Sequence, residues 1–204
     1  MPTDLSAKPT LVGERAVLRP FTPADIDAMG PVLADPDVRR LTGSVHTTAE
    51  AAEADPHLDE PTRRWYETRA DAGDRLDLAL VDRATDRCVG EVVLNHWEPE
   101  NQSCNFRILV GPLGRDRGLG SEATRLVLTH AFTATDLYRV ELGVYTVNPR
   151  ARHVYERAGF VVEGVRRAAL VFDGERVDEV MMAALRPQWL AAHGEAASGV
   201  SRPR

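Results

Sequence analysis

Residues 110–120 read Val-Gly-Pro-Leu-Gly-Arg-Asp-Arg-Gly-Leu-Gly, and an amphipathic helical stretch follows at once. Glycines let the backbone approach a ligand without a Cβ in the way, and the first-turn N–H groups of a helix have no partners within it. Those groups and the positive end of the helix dipole favour an anion. The spacing Arg115-x-x-Gly118-x-Gly120 is shorter than a P-loop and lacks its Lys-Ser/Thr ending. The segment therefore predicts a diphosphate site of another kind.

Hydrophobic periodicity on both sides of this turn predicts an α+β fold with a mixed sheet. Only the strand–helix–strand segment around the turn requires parallel pairing, because the other neighbouring strands are joined by short turns. The predicted elements, in chain order, are a strand at 11–21, a helix at 22–34, a broken helical stretch at 47–73, a hairpin at 76–94, a strand at 103–110, a helix at 119–134, a strand at 138–147, a helix at 149–158 and a hairpin at 160–185.

Length and composition predict one globular domain. The chain has 204 residues, of which 43% are hydrophobic and 27% are charged. These are ordinary values for a globular protein with a core large enough to fold without disulfides. We expect the domain to span residues 11–187, with a flexible N-terminus at 1–10 and a frayed, polar tail at 188–204.

Charge and cysteine usage narrow the possible partners. The net charge is −6, which argues against a general nucleic-acid binder and is compatible with a cationic acceptor such as an amine. No apolar run approaches the roughly 20 residues that span a bilayer, so no membrane partner is expected. Cys88 and Cys104 lie in apolar runs without metal-ligand spacing, which predicts free thiols and a cytoplasmic location.

Three segments in a fixed order carry a family resemblance. They are residues 115–123, the strand 139–144 leading to Asn148, and residues 151–160 with 162–164. Together they resemble the GNAT superfamily of acyl-CoA-dependent N-acyltransferases. Leu18-Arg19-Pro20-Phe21 and residues 178–182 also look like its ribosomal-protein N-terminal acetyltransferase branch. The resemblance extends over residues 11–185.

This resemblance implies a fold and a reaction. The implied sheet has seven strands, is mostly antiparallel, contains a central splayed parallel pair and is flanked by about four helices. The implied reaction transfers an acetyl group from acetyl-CoA, without a metal, to a primary amine by direct attack in a ternary complex. The acceptor would be a small molecule or a protein N-terminus, and the enzyme a monomer or a homodimer.

The resemblance also assigns cofactor contacts. Main-chain N–H groups of the glycine turn would hold the pyrophosphate, the strand before it would pair with the pantetheine arm, and an asparagine after the next strand would hydrogen-bond that arm. In this sequence the expected cofactor-binding residues are Ile108, Leu109, Val110, Arg115, Asp116, Arg117, Gly118, Leu119, Gly120 and Asn148.

Catalytic and acceptor residues follow from the same resemblance. Tyr155, two helical turns after Asn148, would face the thioester sulfur as general acid. Many relatives carry a glutamate where this chain has Asn105, so Glu91 on the neighbouring strand is the expected base. An α-amine with a pKa near 7.7–8.0 needs little help from a base. His96, Trp97 and Asn105 are the expected acceptor contacts.

The same residues also allow purely structural interpretations. Asn148 can serve only as a helix cap before Pro149, Tyr155 as a core residue, and Glu91 as a strand carboxylate. Residues 118–123 also match the dinucleotide-binding pattern G-x-G-x-x-A, although further βαβ units would then have to follow. A non-catalytic acyl-CoA-binding module of the same fold is the other alternative, motivated by Asn105.

Overall fold

The structure is a computed structural model that describes residues 5–197, and one eight-stranded sheet forms its centre. The strands are β1 Leu11–Val12, β2 Ala16–Arg19, β3 Leu76–Asp82, β4 Arg87–Glu98, β5 Ser103–Val110, β6 Arg139–Tyr145, β7 Val161–Phe172 and β8 Glu175–Leu185. The helices are α1 Pro23–Leu33, α2 Pro36–Leu41, α3 Thr48–Ala52, α4 Glu60–Glu67, α5 Leu119–Ala134, α6 Pro149–Ala158 and α7 Arg186–Ala197.

The strand order is β1-β2-β3-β4-β5-β6-β8-β7, and β5–β6 is the one parallel pair within residues 5–197. That pairing extends only from Ser103 opposite Arg139 to Asn105 opposite Glu141. Beyond this point the two strands separate. The expected α+β fold with a central splayed parallel pair is therefore confirmed, and the repeated βαβ units of a dinucleotide-binding fold do not follow.

The expected counts of seven strands and about four helices are wrong. The opening strand is divided by a turn at 13–15 into β1 and β2, which pair with each other, Leu11 opposite Leu18. The short helices α2, α3 and α4 each follow a capping residue that accepts a hydrogen bond from a main-chain N–H in the first turn. These caps are Asp35, Thr47 and Asp59, which begin α2, α3 and α4.

Hydrophobic packing covers both faces of the sheet. On one face α5 and α7 contribute side chains such as Leu128, Phe132 and Trp189 to a large core. On the other face Met29 of α1 belongs to a smaller core that includes Leu109 of β5. The gap between β5 and β6 therefore lies between two packed layers of helices. No helix among residues 5–197 is long and apolar enough to cross a membrane.

Parts of both expected terminal segments contact the rest of the fold. Trp189 is 4% exposed and its indole N–H donates to the carbonyl of Ala158 at 3.0 Å, so residues 186–197 form α7 instead of a frayed tail. Within the expected flexible terminus at 1–10, Leu5 is 2% exposed and its N–H donates to the carbonyl of Gly73 at 2.9 Å. The rest of both expected termini, 1–4 and 198–204, lies outside the described residues.

Candidate functional site

The separation of β5 and β6 opens a cavity of about 410 Å³. Its walls are formed by residues 106–110 of β5, 142–145 of β6, the turn before α5 with the first turns of that helix, α6 with the loop before it, α2 with Thr42, and Glu179 of β8. Residues 106–110 have no strand neighbour on the β6 side. Their main-chain groups that face β6 are therefore available to a ligand that lies between the strands like an additional strand.

An anion cradle closes one end of this cavity. Gly118 precedes α5 with φ +78°, a conformation that L side chains rarely adopt, and a Cβ there would lie 2.7 Å from Nη1 of Arg15. The first bond within α5 runs from the N–H of Glu122 to the carbonyl of Gly118 at 3.0 Å. The N–H groups of the three residues between them are thus free of helical partners, and Gly120 and Ser121 line the cavity.

Three of the expected turn residues have side chains that are held or buried within the protein. The guanidinium of Arg115 is held by Asp35 and by Asp37, the latter at 3.3 Å. Arg117 donates to Asp82 at 2.6 Å and lies outside the cavity wall, and Leu119 is 1% exposed in the core.

The N-terminus of α6 forms the opposite wall of the cradle. Asn148 lines the cavity and caps α6, with Oδ1 accepting from the N–H of Ala151 at 3.1 Å. Arg150 reaches across to Asp116 at 3.0 Å and so connects the two helix starts. Among the described residues the Nδ2 group of Asn148 has no protein acceptor. Capping and ligand binding are therefore compatible at this position.

Tyr155 lies deeper in the cavity, on the second turn of α6. Its ring packs edge-on against Phe106 and Phe160, each with centroids 5.9 Å away, and 9% of the residue is exposed. Burial raises the pKa of Tyr155 to about 12, so the phenol is protonated at neutral pH. Within residues 5–197 the hydroxyl has no protein hydrogen-bond partner. It is a proton donor available to a ligand.

Glu91 is placed differently from the expected base. The residue is 0% exposed and does not line the cavity. Its carboxylate accepts hydrogen bonds from the Tyr66 hydroxyl at 2.9 Å and from Nη2 of Arg107 at 3.0 Å. Burial raises the pKa of Glu91, and the positive charge of Arg107 opposes that rise. A general base must reach the proton that it removes, and here Arg107 stands between Glu91 and the cavity.

His96, Trp97 and Asn105 do not line the cavity either. In the antiparallel β4–β5 pair, Gly90 lies opposite Val110 and Glu98 opposite Ser103, so the end of β4 lies beside the closed, paired end of β5. Trp97 packs against the core, and Nδ2 of Asn105 donates to Asn95 at 2.9 Å. The structure therefore brings none of the three expected acceptor contacts to the cavity.

The cavity has polar residues that the sequence argument did not identify. Arg107, Tyr145 and Glu179 line it together with Leu41 and Thr42 at the end of α2. Strand alternation could have predicted the face on which Arg107 lies. Its neighbours Phe106 and Ile108 point to the larger core, so the side chain of Arg107 must lie on the opposite face of the sheet. Within residues 5–197 no group of three or more His, Cys, Asp or Glu side chains could hold a metal ion.

Comparison with known families agrees with this geometry. The family model described as an acetyltransferase (GNAT) domain matches residues 15–161. The spermidine N(1)-acetyltransferase of Escherichia coli (strain K12) is 29% identical over 139 residues, 63% of this chain and 73% of that protein. The L-amino acid N-acetyltransferase AaaT of the same strain is 27% identical over 173 residues, 83% of this chain and 98% of that protein.

A third relative is the Bacillus subtilis (strain 168) protein YdaF, provisionally named a ribosomal N-acetyltransferase. It is 24% identical over 178 residues, 87% of this chain and 95% of that protein. Among solved structures, spermidine N-acetyltransferase from Vibrio cholerae in complex with CoA and spermine has a TM-score of 0.73 at 21% identity. The match covers 87% of this chain and 99% of that one, and it establishes the likeness of fold.

Proposed function

The chain belongs to the GNAT family of acetyl-CoA-dependent N-acetyltransferases, and we propose that its β5–β6 cavity transfers the acetyl group to a primary amine within a ternary complex. One observation supports this assignment above the others. The free N–H groups at the start of α5, the unpaired edge of β5 and the buried phenol of Tyr155 all border the same cavity. Each of them suits a different part of the donor molecule.

The residues fit the donor in the following way. The N–H groups at Gly118–Ser121 suit a pyrophosphate, because unsatisfied helical N–H groups and the helix dipole favour phosphate. The main-chain groups of Ile108, Leu109 and Val110 suit the amides of the pantetheine arm, and Nδ2 of Asn148 can donate to the same arm. When bound, acetyl-CoA supplies an acyl thioester, whose carbonyl carbon an amine can attack with a thiolate as leaving group.

Proton movement is the task of the chain's own residues. The net reaction forms a C–N bond, breaks a C–S bond and moves one proton from the amine to the departing sulfur. Tyr155 donates that proton and recovers it through solvent, which receives the proton of the amine. A phenol with a pKa near 12 protonates a thiolate only in concert with departure, so Tyr155 assists the step and does not drive it alone.

Acceptor access is proposed from the face of the sheet that carries α1–α4, where Leu41, Thr42 and Arg107 border the cavity. The acceptor is a small-molecule amine or a protein N-terminus. The second class is supported by the sequence likeness to the ribosomal branch. Within that branch signature Arg19 has a structural role, since it pairs with Asp25 at the start of α1 at 2.5 Å.

We place the reaction in the cytoplasm, where thiols stay reduced. Cys88 and Cys104 are free and buried, and burial raises the pKa of each to about 12, so both persist as unreactive thiols. The protein is expected to act as a monomer or a homodimer, which light scattering on the purified protein distinguishes.

Thiol release from acetyl-CoA in the presence of a panel of amines tests the proposed function. The panel contains free amino acids, amino acid amides, polyamines and short peptides with free N-termini. Acetylation of at least one class, with the product identified by mass spectrometry, is the expected result. Binding of acetyl-CoA by calorimetry without turnover on any amine would contradict it.

A further inference from the structure

Two opposite charges border the acceptor side of the cavity, and the transfer chemistry above uses neither. They belong to Glu179 of β8 and Arg107 of β5, whose side chains are 15% and 45% exposed. Both line the cavity, and they form no ion pair with each other. The space between the two groups is therefore available to a ligand.

Glu179 reaches the cavity because residue 143 is a glycine. A Cβ on Gly143 would lie 2.2 Å from Oε1 of Glu179, a distance that atoms in contact cannot adopt. The glycine thus leaves room for the carboxylate to lie against β6. On its outer side, Oε2 of Glu179 is held by Nη1 of Arg166 at 2.6 Å. The carboxylate is held through Oε2, and Oε1, which lies against Gly143, has no protein hydrogen-bond partner among the described residues.

Arg107 is likewise held by a protein partner on one side, the carboxylate of Glu91 on the neighbouring strand β4. Nη2 donates to the fully buried carboxylate of Glu91 at 3.0 Å, and the hydroxyl of Tyr66 holds the other oxygen of that carboxylate at 2.9 Å. One bond therefore orients the guanidinium. Its remaining N–H groups can donate to an anionic group in the cavity, and an Arg fork suits a carboxylate in two-bond geometry.

The strand register places the two groups across the gap from each other. Asn105 lies opposite Glu141 in the last parallel pair. Arg107 and Gly143 lie two residues further along their strands. The carboxylate of Glu179 lies against Gly143. The acceptor side of the cavity therefore has a positive group on its β5 edge and a negative group on its β6 edge.

From this arrangement we infer that the acceptor is a small zwitterion, an amine with a carboxylate a few bonds away, as in a free amino acid. Glu179 holds its amino group, which gives one proton to solvent and attacks as the neutral amine, and Arg107 holds its carboxylate. This inference rests on the proposed acetyl transfer and specifies the substrate class of the same site. An acceptor with positive charges alone, such as a polyamine, would satisfy Glu179 but would face the repulsion of Arg107.

Matched acceptors test the inference on the intact protein. Each free amino acid is compared with its own amide, which keeps the amine and loses the carboxylate, and with a diamine. The expected kcat/KM for the free amino acid, calculated on the concentration of the neutral amine of each acceptor, exceeds that of its amide by about 10- to 100-fold, since hydrogen bonds to charged groups are worth that much. A preference for amides or diamines would overturn the inference.

Two substitutions separate the two contacts. Arg107→Met raises KM for the free amino acid by about 10-fold or more and leaves the amide almost unaffected, because only the first uses the guanidinium. Glu179→Gln raises KM for both. Glu163→Gln is the control, because Glu163 pairs with Arg139 on the same sheet but does not line the cavity. This variant should leave KM unchanged for both the free amino acid and its amide.

The outcomes distinguish this inference from the proposed function. If some amine is acetylated but Arg107→Met affects a free amino acid and its amide equally, the zwitterion inference is wrong and acetyl transfer stands. If acetyl-CoA binds and no amine is acetylated, both are wrong. Circular dichroism of each variant confirms that a loss of rate is not a loss of fold.

Discussion

Glu91 and Arg107 form an ion pair of 3.0 Å between Oε1 and Nη2, with the carboxylate fully buried and the guanidinium at the wall of the cavity. The pair crosses from β4 to β5, and Tyr66 of α4 completes it from the helical layer. In the proposed acceptor site, this arrangement makes Glu91 a positioning residue for Arg107. It also explains why a glutamate next to Gly90 is tolerated inside an apolar layer: its charge is paired and hydrogen-bonded.

Glu91→Gln is expected to raise KM for the acceptor by about 10-fold and to leave kcat within about two-fold, because the orienting charge under Arg107 is lost while the proton donor is not. The acid side of the pH–rate profile stays unchanged. Tyr66→Phe is the matched control, since it removes the other hydrogen bond of the same carboxylate and keeps its charge. A flattened acid limb in the Gln variant would restore Glu91 as a base.

Tyr155→Phe is expected to lower kcat by about 10²- to 10⁴-fold, the usual contribution of a positioned proton donor. The affinity for acetyl-CoA is retained, because the ring still packs against Phe106 and Phe160. Steady-state kinetics and calorimetry measure the two quantities. Because burial raises the pKa of Tyr155 to about 12, the wild-type rate should show no alkaline decline from this group below about pH 10. An unchanged kcat in the variant removes Tyr155 from the mechanism.

Gly118→Ala tests the anion cradle. The substitution forces a side chain into φ +78° and against Arg15, at a cost of about 1–2 kcal/mol in backbone strain alone. Because the displaced residue begins α5, the Kd for acetyl-CoA is expected to rise about 10-fold, as when hydrogen bonds to a charged ligand are misaligned.

Gly174→Ala is the control for this substitution. Gly174 has φ +81° in the turn between β7 and β8, and a Cβ there meets open space away from the cavity. It should lower the free energy of unfolding by a similar amount and leave the Kd unchanged. Equal effects of the two variants on acetyl-CoA binding would mean that the turn at Gly118 only supports the fold.

Glu122→Gln tests how α5 is attached to the first strands. The carboxylate of Glu122 accepts the N–H groups of Glu14, Arg15 and Ala16, each at 2.8 Å. Burial alone would raise the pKa of Glu122, but these donors outweigh it and the pKa is lowered. A carboxylate with a lowered pKa stabilises the fold above its unfolded pKa near 4.3 and loses that effect as the pH falls further.

The variant should therefore lose about 1–3 kcal/mol of unfolding free energy at pH 7, as expected for hydrogen bonds to a charged group. The difference from wild type should shrink below about pH 4. Urea denaturation at the two pH values measures it, with Glu53→Gln on the surface as control. A difference that is the same at both pH values would show that the charge of Glu122 is not what stabilises the attachment.

Most of the residues that the sequence assigns to the cofactor end do border the cavity, because the elements that carry them are set by local sequence. The glycines, the helix start at Leu119 and the cap at Asn148 depend on residues that are neighbours in sequence. The acceptor end depends on contacts between distant segments. Glu91 is held by Tyr66, and Gly143 makes room for Glu179, which no pattern within a single element reveals.

The errors at the acceptor end have one physical cause. His96 and Trp97 are close in sequence to the cavity-lining strand, but antiparallel pairing places them beside Ser103, at the end where β5 and β6 are still joined. Their distance from the cavity is a matter of register, and periodicity fixes the face of a strand but not its partner's register. The helix α7 also depends on a contact between distant segments, because Trp189 is buried against the rest of the fold although its neighbours in sequence are polar or small.

A crystal structure of the complex with coenzyme A is the decisive measurement for this site. We expect the pyrophosphate within hydrogen-bonding distance of the N–H groups of Gly120 and Ser121. We expect the pantetheine arm between β5 and β6, with its sulfur end directed towards Tyr155. Coenzyme A bound elsewhere on the protein, or with its phosphates away from the start of α5, would show that the β5–β6 cavity is not the donor site.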